Sequence, residues 1–255
     1  MDFQLQGKHI LITGGSKGIG LACAKAFLQE GARVSLVSRD MGNLTAARDV
    51  LGKEVPDSCE RVYVYGADLR DEKAAAAVVN QTEMENGPID ILVNSAGAAK
   101  RTPPDELTPL HWHEAMDAKY FTYIHVIDPV ITRLAKRGAG VILNIIGQGG
   151  KMAKTTHIAG GAANAALMLA TAGLAAAYGP KGIRVNAINP GLTLTSRLQE
   201  GLKAEARMNG ITIDEALNRA CAPMPLGRLA SPEDIANAVV FFCSPRASYI
   251  SGSIL

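Results

Sequence analysis

The sequence predicts one α/β domain built on a parallel, doubly wound sheet. Short apolar runs rich in β-branched residues alternate with longer segments of helical period, as in strand–helix–strand crossovers. Each run is nearly all apolar, as expected of strands covered on both faces. The 255 residues hold no stretch that reads as a linker, so residues 1–255 form one domain. With 47% hydrophobic and 20% charged residues, the chain can bury a sizeable core. Lys plus Arg is 26 against 24 for Asp plus Glu, a net charge of +2 with no dense basic run, which argues against nucleic acid or an anionic membrane as partner.

The strands are expected at 9–13, 33–38, 61–65, 89–93, 140–146, 183–188 and 249–255, about seven in all. Helices at 19–29, 43–53, 71–85, 112–137, 159–178 and 232–243 lie between them and cover both faces through right-handed connections. The segment 155–180 contains no Asp, Glu, Lys or Arg, but it is Ala- and Gly-rich, which suits a helix in a core or subunit interface better than a membrane span. Residues 192–225 are the least regular. They carry Gly201, Gly210, Pro223 and Pro225, with Arg197, Lys203, Arg207 and Arg219 set against Glu200, Glu205, Asp214 and Glu215. Lying after a late strand, they are read as a substrate lid, and their mixed charge singles out no substrate.

Four dispersed cysteines, Cys23, Cys59, Cys221 and Cys243, form no CxxC and no Cys/His cluster, so they are read as reduced thiols with no metal site. The N-terminus lacks the basic and apolar regions of a secretory signal, and a cytoplasmic location is expected.

Chemistry enters at residues 13–20, TGGSKGIG, between the first strand and first helix. Gly14, Gly18 and Gly20, with Ser16, Lys17 and Ile19, let backbone approach a pyrophosphate at a helix N-terminus. An acid that would hold ribose hydroxyls is missing from the end of the second strand, which reads Val37-Ser38-Arg39. Ser38, Arg39 and Lys17 there suit a 2′-phosphate, so NADP(H) is favoured over NAD(H).

From 13–20 onward the chain resembles the short-chain dehydrogenases/reductases over essentially its whole length. The resemblance continues through Asp68-Leu69, Asn94-Ser95-Ala96-Gly97, the run from Ile183 to Gly191, and Pro225-Leu226-Gly227-Arg228. Ser95 stands where a second Asn is usual, and the chain stops at Leu255, before the family's common Val-Asp-Gly-Gly ending, which leaves the native C-terminus open. The resemblance implies a Rossmann-like fold and a role for Asp68 at the adenine amino group. It also implies that Asn94, Ala96 and Gly97 border the cofactor, and that Pro190, Gly191, Thr193 and Thr195 hold the nicotinamide side.

It further implies a catalytic Asn, Ser, Tyr and Lys, and here the sequence departs. Ala165-Ala166-Leu167 and Pro190-Gly191 downstream, with Asn144-Ile145 and Trp112 upstream, place those four positions on Lys119, Gly147, Gly160 and Asn164. None of Tyr63, Tyr65, Tyr120, Tyr123, Tyr178 and Tyr249 has a lysine four residues on, so no shift of register restores the motif. Loss of a positioned general acid alone costs ~10²–10⁴-fold in rate.

The family's Asn and Lys appear exchanged, as Lys119 and Asn164. Lys119 is therefore the candidate catalytic residue, expected to reach into the vacated room as a cation, against the alternative of a helix lysine snorkelling to solvent. Asn164 keeps a candidate place at the cofactor. His157 is a second candidate proton carrier or a structural histidine. Tyr120 and Tyr123 are expected to pack, and Lys151 and Lys154 to be solvated. Three functions stay open: an NADP(H)-dependent oxidoreductase of a carbonyl or hydroxyl substrate with a non-standard site, a silent subunit pairing with an active relative, or an NADP(H)-binding sensor or scaffold. By resemblance, helices 112–137 and 159–178 would form the interface of a homo-oligomer (dimer or tetramer) or hetero-oligomer.

Overall fold

The computed structural model describes residues 2–97 and 99–255, with side chains excepted at 197, 204 and 205. Its six strands are β1 (His9–Thr13), β2 (Arg33–Ser38), β3 (Val62–Gly66), β4 (Ile91–Asn94), β5 (Gly140–Ile145) and β6 (Ile183–Ile188). They pair in parallel in the order β3-β2-β1-β4-β5-β6. The order reverses between β1 and β4, where Thr13 lies beside Asn94.

Nine α-helices accompany the sheet among the described residues: α1 (Gly18–Gln29), α2 (Met41–Glu54), α3 (Glu72–Asn86), α4 (Pro109–Ala115), α5 (Thr122–Arg137), α6 (Ile158–Tyr178), α7 (Ser196–Asn209), α8 (Ile213–Cys221) and α9 (Pro232–Cys243). Alternate side chains of β1 serve opposite faces. Ile10 and Ile12 join a core with Phe27 of α1, Leu44 of α2 and Val239 of α9. Leu11 joins a second core with Val79 of α3, Val126 of α5 and Leu167 of α6. Both faces are thus buried, which is why the strands lack polar alternation.

Three sequence expectations need correction. The seventh strand, 249–255, does not form, and the sheet has six strands. Gly252 turns the chain at φ +77°, and only Ile254 bridges to Ala187. The helix expected at 112–137 begins at Pro109, where Thr108 and His111 form a reciprocal cap, and it is interrupted by a π turn at Met116–Phe121. Thr122 Oγ1 donates to the Asp117 carbonyl (2.9 Å), five residues back, at the end of this wider turn. Residues 192–225 are not irregular throughout but contain α7 and α8. Thr195 and Thr212 cap these helices, Gly210 separates them, and they pack through Leu202, Ala206 and Ala216.

The stretch Ile158–Lys181 is long and apolar enough to cross a membrane by length and composition. In the fold, its Leu167, Met168 and Ala175 pack into the second core.

A buried polar chain ties the sheet's centre to α6. Thr13 Oγ1 donates to Asn94 Oδ1 (3.3 Å), Asn94 Nδ2 to Asn144 Oδ1 (3.0 Å), and Asn144 Nδ2 to Thr171 Oγ1 (3.0 Å). Thr171 donates on to the Leu167 carbonyl (2.8 Å). Every member has its partner, so these groups fix the strand ends without an orphaned dipole.

Candidate functional site

A cleft of about 1820 Å³ opens beyond the carboxyl ends of the strands, where the order reverses. It brings together Gly14, Ser16, Lys17, Gly18 and Ile19 from the β1–α1 turn, Ser38 and Arg39 after β2, and Asp68 and Leu69 after β3. Ala96 and Gly97 after β4 and Pro190, Gly191, Thr193 and Thr195 after β6 complete that set. Three expected residues stand behind the lining instead. Gly20 supports the turn from within α1, Asn94 belongs to the buried polar chain, and Asn164 is only 6% exposed.

The turn fits a pyrophosphate. A Cβ at Gly20 would lie 2.3 Å from the Gly14 carbonyl oxygen, so helix and turn meet backbone to backbone. No side chain caps α1 and no acid sits in its first turn, leaving its N–H dipoles to the cleft. Ser16 Oγ donates to Ser38 Oγ (3.3 Å), joining the turn to the end of β2 beside Lys17 and Arg39.

Arg70, unremarked in the sequence, also lines this end. Its guanidinium forks onto Asp68, with Nε 3.0 Å from Oδ1 and Nη2 2.5 Å from Oδ2. That pairing, chiefly, holds the Asp68 carboxyl below its ordinary range. An adenine amino group would therefore meet a carboxylate already engaged by arginine. The signal for Arg70 was a cation two residues after Asp68. These residues fit a dinucleotide, and Lys17 and Arg39 are cations that line this end of the cleft.

The other end of the cleft is built on the π turn. Lys119 lines it, yet is 6% exposed, and its Nζ donates to the Ile145 carbonyl (3.1 Å) and the Tyr123 hydroxyl (2.8 Å). The ammonium also stands 4.4 Å from the centre of the Tyr123 ring. A snorkelling lysine is thus excluded: these contacts compensate a buried cation. Tyr123 donates to the same carbonyl (2.5 Å), and burial drives its phenol well above the ordinary value.

Gly147, after β5, adopts φ +127° and ψ 144°, a conformation that side-chain-bearing residues rarely reach. Its N–H donates to Asn189 Oδ1 (3.3 Å) and that of Gln148 to the Pro190 carbonyl (3.1 Å), pinning the loop to the end of β6. Asn164 Nδ2 approaches the Gly147 carbonyl at 3.5 Å, so this amide serves the loop and does not line the cleft.

Nor is the space at Gly160 empty. A Cβ there would lie 2.2 Å from Cε1 of His157, whose imidazole fills that volume. His157 lines the cleft, while its Nδ1 is buried with no hydrogen-bond partner among the described residues, a cost of ~1–3 kcal/mol. Burial, then Arg101, Lys154 and Lys119, push its pKa below the usual 6.5. Lys154 lines the cleft, whereas Lys151 turns away and donates to the Ile254 carbonyl (3.2 Å).

A family model described as enoyl-(acyl carrier protein) reductase matches residues 14–255. D-threitol dehydrogenase of Mycolicibacterium smegmatis is 34% identical over 254 residues, covering 100% of this chain and 92% of that protein. L-sorbose reductase from Gluconobacter frateurii, solved with NADPH and L-sorbose, superposes with a TM-score of 0.93 at 32% identity, covering 100% of this chain and 96% of that one. The NADPH-bound short chain oxidoreductase of Pseudomonas aeruginosa PAO1, described as containing an atypical catalytic center, gives 0.88 at 29% identity over 97% of this chain and 94% of its own.

Proposed function

The chain belongs to the short-chain dehydrogenase/reductase family, and on that premise we propose that it is an NADP(H)-dependent oxidoreductase of a hydroxyl or carbonyl substrate with a non-standard reaction centre. The observation that carries this reading is the cleft itself. The Gly14–Gly20 contact and uncapped α1 at one end are continuous with Lys119, Gly147 and His157 at the other. When bound, NADP(H) supplies or accepts the hydride.

The chain's own residues do the rest. Lys17 and Arg39 hold the 2′-phosphate, and Pro190, Gly191, Thr193 and Thr195 border the nicotinamide side. Lys119, Gly147, Gly160 and Asn164 stand where the family keeps its Asn, Ser, Tyr and Lys, so other groups must stabilise charge. Lys119 is the cation for the developing alkoxide, held in place through Ile145 and Tyr123. The segment 192–225, carrying α7 and α8, closes over the substrate, with Leu198 and Leu202 in the cleft wall. Exposed Leu110, Trp112, Phe121 and Leu169 on α4, the π turn and α6 support self-association or pairing with a relative. The free thiols support a cytoplasmic location.

Titration with NADPH and NADH, followed by turnover on a panel of alcohols and ketones, tests the reading. NADPH binds more tightly, and Arg39→Ala weakens it about 10- to 100-fold with little change for NADH, the worth of one charge-assisted contact of ~1.5–3 kcal/mol. Tight NADPH binding without turnover favours a silent subunit or sensor. Failure to bind either dinucleotide removes all three readings.

A further inference from the structure

We propose that His157 is the catalytic residue that moves the proton in this reaction, its imidazole standing in the volume that a side chain at position 160 would take. The inference rests on the oxidoreductase reading above. The ring is held in a slot between two glycines. A Cβ at Gly160 would lie 2.2 Å from its Cε1 and 2.7 Å from both ring nitrogens, and a Cβ at Gly149 would lie 3.1 Å from its Cδ2.

The slot does not employ the ring to hold the fold. His9 bonds Gly87 and Ser35 through its two nitrogens, His111 caps Thr108, and His125 bonds the Leu69 carbonyl. His157 has no such bond among the described residues, and its Nδ1 is buried without a partner there, so Nε2 is the ring nitrogen we assign to a ligand in the cleft that this residue lines. Tyr123 and Lys119 are less suited to give up or take a proton, because each is committed to the Ile145 carbonyl and to the other.

The surroundings decide which form of the ring prevails. Arg101 faces it from the segment after β4, Lys154 from the segment before α6, and Lys119 from the π turn. His157 is also the residue from which α6 starts, so the positive end of that helix adds to the three cations. All of these disfavour imidazolium, as does the buried, unpaired Nδ1. The ring is therefore neutral at pH 7 and poised as a base, which favours oxidation of an alcohol.

In that direction the substrate O–H bond breaks and its proton passes to Nε2. The C–H electron pair leaves as hydride to the oxidised nicotinamide, and a carbonyl forms. The products are carbonyl compound, imidazolium and reduced nicotinamide, and imidazolium returns its proton to water. Reduction runs the same steps backwards.

Carbon-13 imidazole NMR of the protein without cofactor, joined to a pH profile, tests this. The His157 resonance, identified by its loss in H157Q, titrates below 6.5. In G160A, where the new methyl expels the ring from its slot, the midpoint moves up towards 6.5. In the wild-type protein, kcat/KM for alcohol oxidation rises with pH through that same midpoint and then levels. H157Q loses this limb and ~10²-fold or more of kcat while the Kd for NADP⁺ stays unchanged. Should H157Q fail to fold, G160A supplies both readouts.

A His157 midpoint at or above 6.5 that G160A does not move overturns the proposal. So does an H157Q enzyme that keeps its kcat and pH limb, and that result leaves the oxidoreductase reading standing. A wild-type protein that binds NADP(H) yet turns over no alcohol or ketone removes both together.

Discussion

At the cofactor end of the cleft, Gly14 and Gly20 let the β1–α1 turn fold against its own helix, backbone to backbone. At the reaction end, Gly149 and Gly160 leave a slot that a side chain from three residues before Gly160 enters. The same residue type does opposite things. In the first place a missing Cβ is the functional feature, and a ligand's phosphates take up what the backbone offers. In the second, the missing side chains hand over volume, and what matters is which neighbour fills it. The cofactor end is therefore governed by local chain geometry, and the reaction end by packing between elements distant in sequence.

If this division is right, changes at the two ends should affect different measured quantities. The largest effect is expected at Lys119. Lys119→Met keeps the aliphatic stem and removes the ammonium, so kcat should fall ~10²–10³-fold, as for loss of one group stabilising developing charge. NADPH affinity should hold, read by fluorescence titration. A matching loss of affinity would break the division between the ends.

Next comes Gly20→Ala, whose Cβ would stand 2.3 Å from the Gly14 carbonyl oxygen. NADPH binding should weaken about tenfold or more, equivalent to at least ~1.4 kcal/mol. Turnover at saturating cofactor should be little changed. An unaltered Kd would show that the turn does not depend on this contact.

The smallest effect is on stability. Burial holds the pKa of His9 and of His157 below 6.5, so below that pH the unfolded chain binds more protons than the folded one. Stability is then complete above the unfolded value of 6.5 and declines as pH falls from there through the folded values. Asp234, held at about 2 chiefly by Arg228, stays ionised across this range and does not offset the trend. Urea midpoints at pH 7.5 and 5.5 should show the lower value at 5.5. A midpoint that rises on acidification contradicts the assignment.

The sequence made the cofactor end readable because each requirement there is local. Gly14, Ser16, Lys17, Gly18 and Ile19 of the first turn, Ser38-Arg39 and Pro190-Gly191 all line the one cleft. Arg70 escaped notice because its role depends on forking back onto Asp68, a geometry that spacing alone does not fix. The strand ladder was legible from its apolar runs, whereas α7 and α8 were hidden by their charge and by the reading of Gly210 as a loop marker when it ends a helix.

At the reaction end Gly147, Gly160 and Asn164 could be read from the sequence, but what surrounds them could not. Vacant room was expected there. Instead His157 fills the position-160 volume and Asn164 faces the Gly147 loop. The inward setting of Lys119 depends on a π turn, and the segment around it read as one uninterrupted helix. Such a turn has little signature in side-chain periodicity.

The backbone at Gly147 also bears on how this site can change over generations. At φ +127°, a serine placed there alone would be strained before it could help any reaction. A tyrosine placed alone at 160 would collide with the His157 ring. Substitution at 147 is thus opposed by the residue's own backbone, and at 160 only by a neighbouring ring that can swing aside, so the two positions differ in how readily they can change.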